Sequence, residues 1–114
     1  MPKILIAEDD HTMVSLLKTL LKMEGFDVVN VDVHTDVPTV VAREKPDALL
    51  MDVHLGEQNG TDIVTLIRKE QQFAHINIVM TSGLNMKDEC LKSGANHFLL
   101  KPFMPDDLIK VLKN

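Results

Sequence analysis

Three short runs, Ile4-Leu5-Ile6-Ala7, Ala48-Leu49-Leu50-Met51 and Ile76-Asn77-Ile78-Val79-Met80, are apolar almost without a break. A strand with one wet face alternates apolar and polar residues, so runs like these belong to a sheet covered by helices on both sides. The expected strands are Lys3–Glu8, Asp27–Asp32, Asp47–Met51, Ile76–Met80 and Asn96–Leu100. Between the first two, Met13, Leu16, Leu17, Leu20 and Leu21 recur at three and four residues, which predicts a helix over His11–Met23 that Gly25 can end. Further helices are predicted over Thr35–Glu44, with Pro38 tolerable only in the first turn, over Thr61–Gln71, and over Asn85–Ser93 before Gly94. A fifth starts at Pro105, where Asp106 and Asp107 suit the positive end of the helix dipole. Strict alternation of this kind predicts a single doubly wound α/β domain, whose binding residues should lie at the carboxyl ends of its strands.

With 114 residues, 45% of them hydrophobic, the chain is long enough for one core and one domain. Charges and turn residues interrupt every apolar run, so neither a signal peptide nor a membrane span is expected, and a soluble, cytoplasmic protein is. Cys90 is the single cysteine; it excludes an internal disulfide and reads as a small buried side chain. The net charge is −5 and the basic residues are scattered, so direct nucleic-acid binding by this segment is not expected. His11, His34, His54, His75 and His97 lack metal-ligand spacing, which argues against zinc.

Four of the five expected strands deliver polar groups to one edge: Glu8-Asp9-Asp10, Asp52, Thr81-Ser82-Gly83 and Lys101-Pro102. Gathering Glu8, Asp9 and Asp52 in one cleft is costly unless a cation neutralises them, since close carboxylates repel and raise one another's pKa. Mg²⁺ suits hard oxygen ligands and is satisfied by one or two carboxylates plus a phosphate. Lys101 adds a compact positive charge and Thr81 a hydroxyl donor. Together these parts describe phosphoryl transfer to a carboxylate, with Asp52 as nucleophile. Asp10 is better read as the cap of the first helix than as a metal ligand. Phe98 is equally well a core residue.

The strand and acidic pair Ile4-Leu5-Ile6-Ala7-Glu8-Asp9-Asp10, the segment Asp47-Ala48-Leu49-Leu50-Met51-Asp52, the step Asn59-Gly60, Thr81 and Lys101-Pro102-Phe103 resemble, in order and spacing, the receiver domains of two-component response regulators. The resemblance covers the whole chain, residues 1–114, and includes the chemotaxis-regulator-like members. It implies a flavodoxin-like (βα)5 domain with a parallel five-stranded sheet in the order 2-1-3-4-5. It implies that Asp52 is phosphorylated by a histidine kinase or histidine phosphotransfer protein, and that Glu8, Asp9, Asp52 and the backbone carbonyl of His54 hold Mg²⁺. Thr81 and Lys101 would bind phosphoryl oxygens, the Lys101–Pro102 bond would be cis, and Phe98 would occupy an aromatic switch position. Phosphorylation would then repack the face formed by the fourth helix, fifth strand and fifth helix, changing affinity for a downstream effector domain or protein or driving homodimerisation. Such a domain catalyses only its own phosphorylation and dephosphorylation.

Three departures bear on these expectations. Leu55-Gly56 replaces a more frequent pair ending in proline, which predicts a looser loop over Glu57–Asn59; Met104 leaves the last helix without a side-chain acceptor at its start; and His54 and Gly83 sit where the family varies. Two rival readings stand beside the receiver. One is a small Mg²⁺-dependent phosphatase forming an aspartyl phosphate, for which no second acid and no substrate-covering cap is evident. The other is a degenerate receiver serving only as an interaction module, against which the intact Glu8, Asp9, Asp52, Thr81 and Lys101 set argues. Both a stand-alone receiver and a piece of a longer regulator or hybrid kinase fit a chain ending at Asn114.

Overall fold

Ile4, Leu5, Ile6 and Ala7 are all fully buried, yet they serve two different cores. Leu5 and Ala7 join one hydrophobic cluster and Ile4 and Ile6 the other, because successive strand residues point to opposite faces. The computed structural model describes residues 1–113; Asn114, the last residue of the expected span, lies outside the described residues.

The order of elements is β1 (Lys3–Ala7), α1 (His11–Met23), β2 (Asp27–Val31), α2 (Val37–Glu44), β3 (Ala48–Asp52), α3 (Gly60–Arg68), β4 (Asn77–Ser82), α4 (Lys87–Ser93), β5 (His97–Leu100) and α5 (Pro105–Leu112). The five strands pair in parallel in the order β2-β1-β3-β4-β5, the doubly wound, flavodoxin-like arrangement expected. Strand order reverses between β1 and β3, so their carboxyl ends border the crevice where such sheets bind ligands. Val14, Leu17 and Leu21 of α1 and Leu108 of α5 cover the face carrying Ile4, Ile6, Leu50 and Val79. The other face, with Leu5, Leu49, Ile78 and Met80, receives Val40 and Val41 of α2, Ile63, Val64 and Ile67 of α3, and Cys90 of α4. Each large apolar side chain buried this way contributes roughly 1.5–3 kcal/mol over exposure, which outweighs helix propensity differences of about 0.7 kcal/mol or less per residue.

Local side-chain bonds explain where the element boundaries differ from expectation. Strand β1 stops at Ala7, since the Glu8 carboxylate accepts the N–H groups of Asp9 at 2.8 Å and Asp10 at 3.2 Å and turns the chain there. Helix α2 starts at Val37 and leaves out Thr35, because Asp32 accepts the His34 N–H on its side chain at 2.8 Å and the Thr35 N–H on its carbonyl at 3.0 Å. Asn85 likewise accepts the Lys87 N–H and stays outside α4. Asp47 accepts the Lys3 N–H at 2.8 Å just before β3, and β3 itself runs on to Asp52. Asp10 caps α1 by accepting the Met13 N–H at 3.1 Å. At α5 the Met104 side chain supplies no cap, and the Asp107 carboxylate accepts the Met104 N–H at 3.1 Å instead.

Helix α3 ends at Arg68, short of the expected Gln71, and Gln71–Phe73 forms a separate 3₁₀ turn. The Arg68 guanidinium closes this end of the molecule by donating to the carbonyls of Gly94 at 2.8 Å, Phe73 at 3.0 Å and Ile76 at 2.9 Å, and to the Asn96 side chain at 2.7 Å. Burial lowers its pKa. Between β3 and α3 lies a small antiparallel hairpin, His54–Leu55 with Gln58–Asn59, that apolar patterning did not indicate. No helix among the described residues is long and apolar enough to cross a membrane.

Candidate functional site

Three strands bring the acidic cleft together. Asp52 is the last residue of β3, is 6% exposed, and stands in register with Thr81 on β4. Glu8, 5% exposed, follows β1, and Asp9 beside it is exposed. One carboxylate oxygen from each of Glu8, Asp9 and Asp52 lies within 4.8 Å of the others. From the end of β5, Lys101 reaches back into the cleft, its Nζ 2.9 Å from Asp52 Oδ2 and 2.5 Å from Glu8 Oε1. Its backbone is held by an N–H bond to the Ser82 carbonyl at 2.8 Å, and the Lys101–Pro102 bond is cis.

Burial pushes the Glu8 carboxyl above its ordinary pKa; the Lys101 hydrogen bond opposes that shift, and the Asp52 charge adds to it. Burial also works against the charge on Lys101, but hydrogen bonds to Glu8 and Asp52 outweigh it and its pKa is raised. The ammonium therefore stays charged. Three carboxylates against one ammonium leave two uncompensated negative charges in a half-buried cleft, which is the charge of one divalent cation. The donors are all hard oxygens, which fits Mg²⁺ and does not fit a softer metal that prefers nitrogen or sulfur. Glu8 and Asp9 also line a cleft of about 480 Å³ with His11, Asn30, Asp32 and His34.

The remaining candidates fall around this centre at different ranges. His54 presents its backbone, with its N–H bonded to Asp52 Oδ1 at 3.1 Å, while its side chain is exposed. Thr81 is buried at 1% exposure, and its carbonyl accepts the Val53 N–H at 2.9 Å, which ties the residue after Asp52 to β4. Phe98 is half-buried; it pairs with Met80, one register position before Thr81, and packs with Met86 against the core under α2, α3 and α4.

Two residues of the loop after Asp52 gain a role that their types alone did not announce. Gly60 lies so close to β3 that a Cβ would stand 2.4 Å from the Asp52 carbonyl oxygen. Gln58 donates its side-chain amide to the Val33 carbonyl at 2.6 Å. The only sequence signal for the first was the Asn59-Gly60 step, and the second had none.

Carboxylates and a lysine assembled from separate strands at the switch point of a parallel sheet are the arrangement of receiver-type signalling domains. The chain belongs to the response regulator receiver domain family, whose model matches residues 4–113. It is 33% identical over 110 residues to the DNA-binding response regulator MtrA of Mycobacterium tuberculosis, covering 94% of this chain and 47% of that protein. It is also 33% identical over 120 residues to the chemotaxis protein CheY1 of Helicobacter pylori, covering 97% and 94%. The chain thus spans about half the length of MtrA and nearly all of CheY1. Among solved structures, a response regulator from Chloroflexus aurantiacus superposes with a TM-score of 0.90 at 29% identity, covering 100% of this chain and 97% of that one. The receiver domain of the sensor histidine kinase PA1611 from Pseudomonas aeruginosa, solved with a magnesium ion coordinated in its active-site cleft, gives 0.84 at 26% identity over 98% and 94%.

Proposed function

We propose that this domain is a phosphorylation-controlled switch of a two-component or phosphorelay system, with Asp52 as the phosphoacceptor. The observation that carries the reading is Lys101 bridging Glu8 and Asp52 beside Asp9, because a lysine spent on two buried carboxylates has little structural purpose at a sheet edge. An Asp52 carboxylate oxygen attacks the phosphorus of a phosphohistidine on a histidine kinase or histidine phosphotransfer protein. The N–P bond breaks, the imidazole takes up a proton, and an acyl phosphate forms. Lys101 is free to pass from the Asp52 carboxylate to a phosphoryl oxygen, and the Thr81 hydroxyl donates to another. Glu8, Asp9, Asp52 and the His54 carbonyl would hold Mg²⁺, which when bound screens the nucleophile from the oxygens of the incoming group.

The output is a population shift. Thr81 moves toward the phosphoryl group, Phe98 reorients into the space released, and the face of α4, β5 and α5 changes its affinity for an effector domain or protein, or for a second copy. Asp52 is the only group of this chain that gains or loses the phosphoryl group, so the domain catalyses its own phosphorylation and dephosphorylation and no turnover of outside substrates. The net charge of −5 and the scattered basic residues suit protein partners better than nucleic acid. Trapping the product tests the assignment: after incubation with acetyl phosphate and Mg²⁺, borohydride reduction should leave homoserine at position 52 by peptide mass. Homoserine at position 9 or 10 instead, or steady hydrolysis of an added phosphate ester, would overturn it.

A further inference from the structure

The segment after Asp52 forms the small hairpin of His54–Leu55 with Gln58–Asn59. Gly56 adopts φ +59°, in the left-handed region that favours glycine, and turns the hairpin so that Leu55 pairs with Gln58 and His54 with Asn59. Leu55 is fully buried in the core, and Val33 packs half-buried against the same cluster. Gln58 then donates its side-chain amide to the Val33 carbonyl at 2.6 Å, linking this hairpin to the segment that follows β2. Val33 and His34 line two neighbouring clefts, one with Glu8 and Asp9 and the other with Gly56, Glu57 and Gln58. The hairpin also contains His54, whose N–H bonds the Asp52 carboxylate at 3.1 Å.

We infer that Gln58 is a positioning residue for the acidic cleft: by holding the hairpin to Val33 it fixes His54 against Asp52. It touches no reacting atom and acts through the backbone of His54. This rests on the cleft being the Mg²⁺ and phosphoryl site proposed above. Residues that orient a metal's ligands commonly change affinity by about 10–100-fold when removed.

The test pairs Gln58→Leu, which keeps bulk and loses the donor, with Gln58→Lys, which puts a donor back on a flexible stem. In the metal-free protein, the His54 amide of Gln58→Leu should exchange with deuterium about 10-fold faster than in the wild type, with the amides of Leu49 and Ile78 unchanged. By calorimetry Gln58→Leu should bind Mg²⁺ about 10-fold more weakly, and Gln58→Lys should recover most of both losses. Unchanged His54 exchange, or unchanged Mg²⁺ affinity, in Gln58→Leu overturns the inference while leaving the wild-type function standing. Equal loss in Gln58→Lys overturns it too. A wild type that takes up no Mg²⁺ at all overturns the functional reading and this inference together.

Discussion

Lys101 is the residue on which the electrostatics of the cleft turns. Held within 2.9 Å of Asp52 and 2.5 Å of Glu8, it satisfies both carboxylates and also repels any second cation approaching them. Replacing it with methionine should therefore have two opposite effects. Mg²⁺ binding, measured by calorimetry, should tighten several-fold, because a competing positive charge is gone. Phosphorylation by acetyl phosphate should slow by about 10²-fold, because a donor for the developing phosphoryl charge is gone. A purely structural lysine would not slow phosphorylation while Mg²⁺ binding tightens. Cys90 is a different case, since it is fully buried and serves packing only. Burial, with the charge of Glu89 adding to it, pushes its thiol up to about 11, against about 8.5 in an unfolded chain. A folded-state pKa above the unfolded one favours the fold fully below about pH 8.5, and that contribution is lost as pH climbs toward the folded value. Urea unfolding from pH 8 to 11 should show stability falling more steeply in the wild type than in Cys90→Ala.

Among elements, the loop from β3 to α3 is the most tightly constrained by geometry. Alanine at position 60 would put a Cβ 2.4 Å from the Asp52 carbonyl oxygen and 2.9 Å from Val53 Cα, so the backbone carrying Asp52 must move. Gly60→Ala should lower stability by roughly 1–3 kcal/mol in urea unfolding and impair phosphorylation of Asp52. Gly83→Ala, with nothing within 4 Å of the added methyl, is the neutral control. The strands were legible because the apolar runs at Ile4 to Ala7 and Ala48 to Met51 admit no other use, and α1 because its five apolar positions recur with helical spacing. Illegible were features made by single bonds between distant segments. A two-residue strand such as His54–Leu55 has no periodicity to read, and Arg68 donates to the carbonyls of Gly94, Phe73 and Ile76 and to the Asn96 side chain just before β5, none of which a charge pattern pairs with it. The start of α2 was missed because the Asx turn at Asp32 competes with helix for Thr35.

At the scale of the whole molecule, the sheet divides the protein into two functions. The end closed by Arg68 is bound into a fixed frame, whereas the opposite end exposes Asp9 to solvent. The candidate cleft residues stand out in the sequence as types at strand ends; that Glu8 is buried and Asp9 exposed, and that a single lysine bridges Glu8 and Asp52, depends on side-chain paths that only the folded chain defines. On the proposed reading, this end of the sheet takes up phosphate on one aspartate in a metal-dependent way. Intact-mass analysis after incubation with acetyl phosphate, run with Mg²⁺ and with EDTA for the wild type and Asp52→Asn, tests it most directly. One phosphoryl increment should appear on the wild type with Mg²⁺ and in none of the other three samples, whereas equal labelling of the wild type and Asp52→Asn, or none on either, would contradict it.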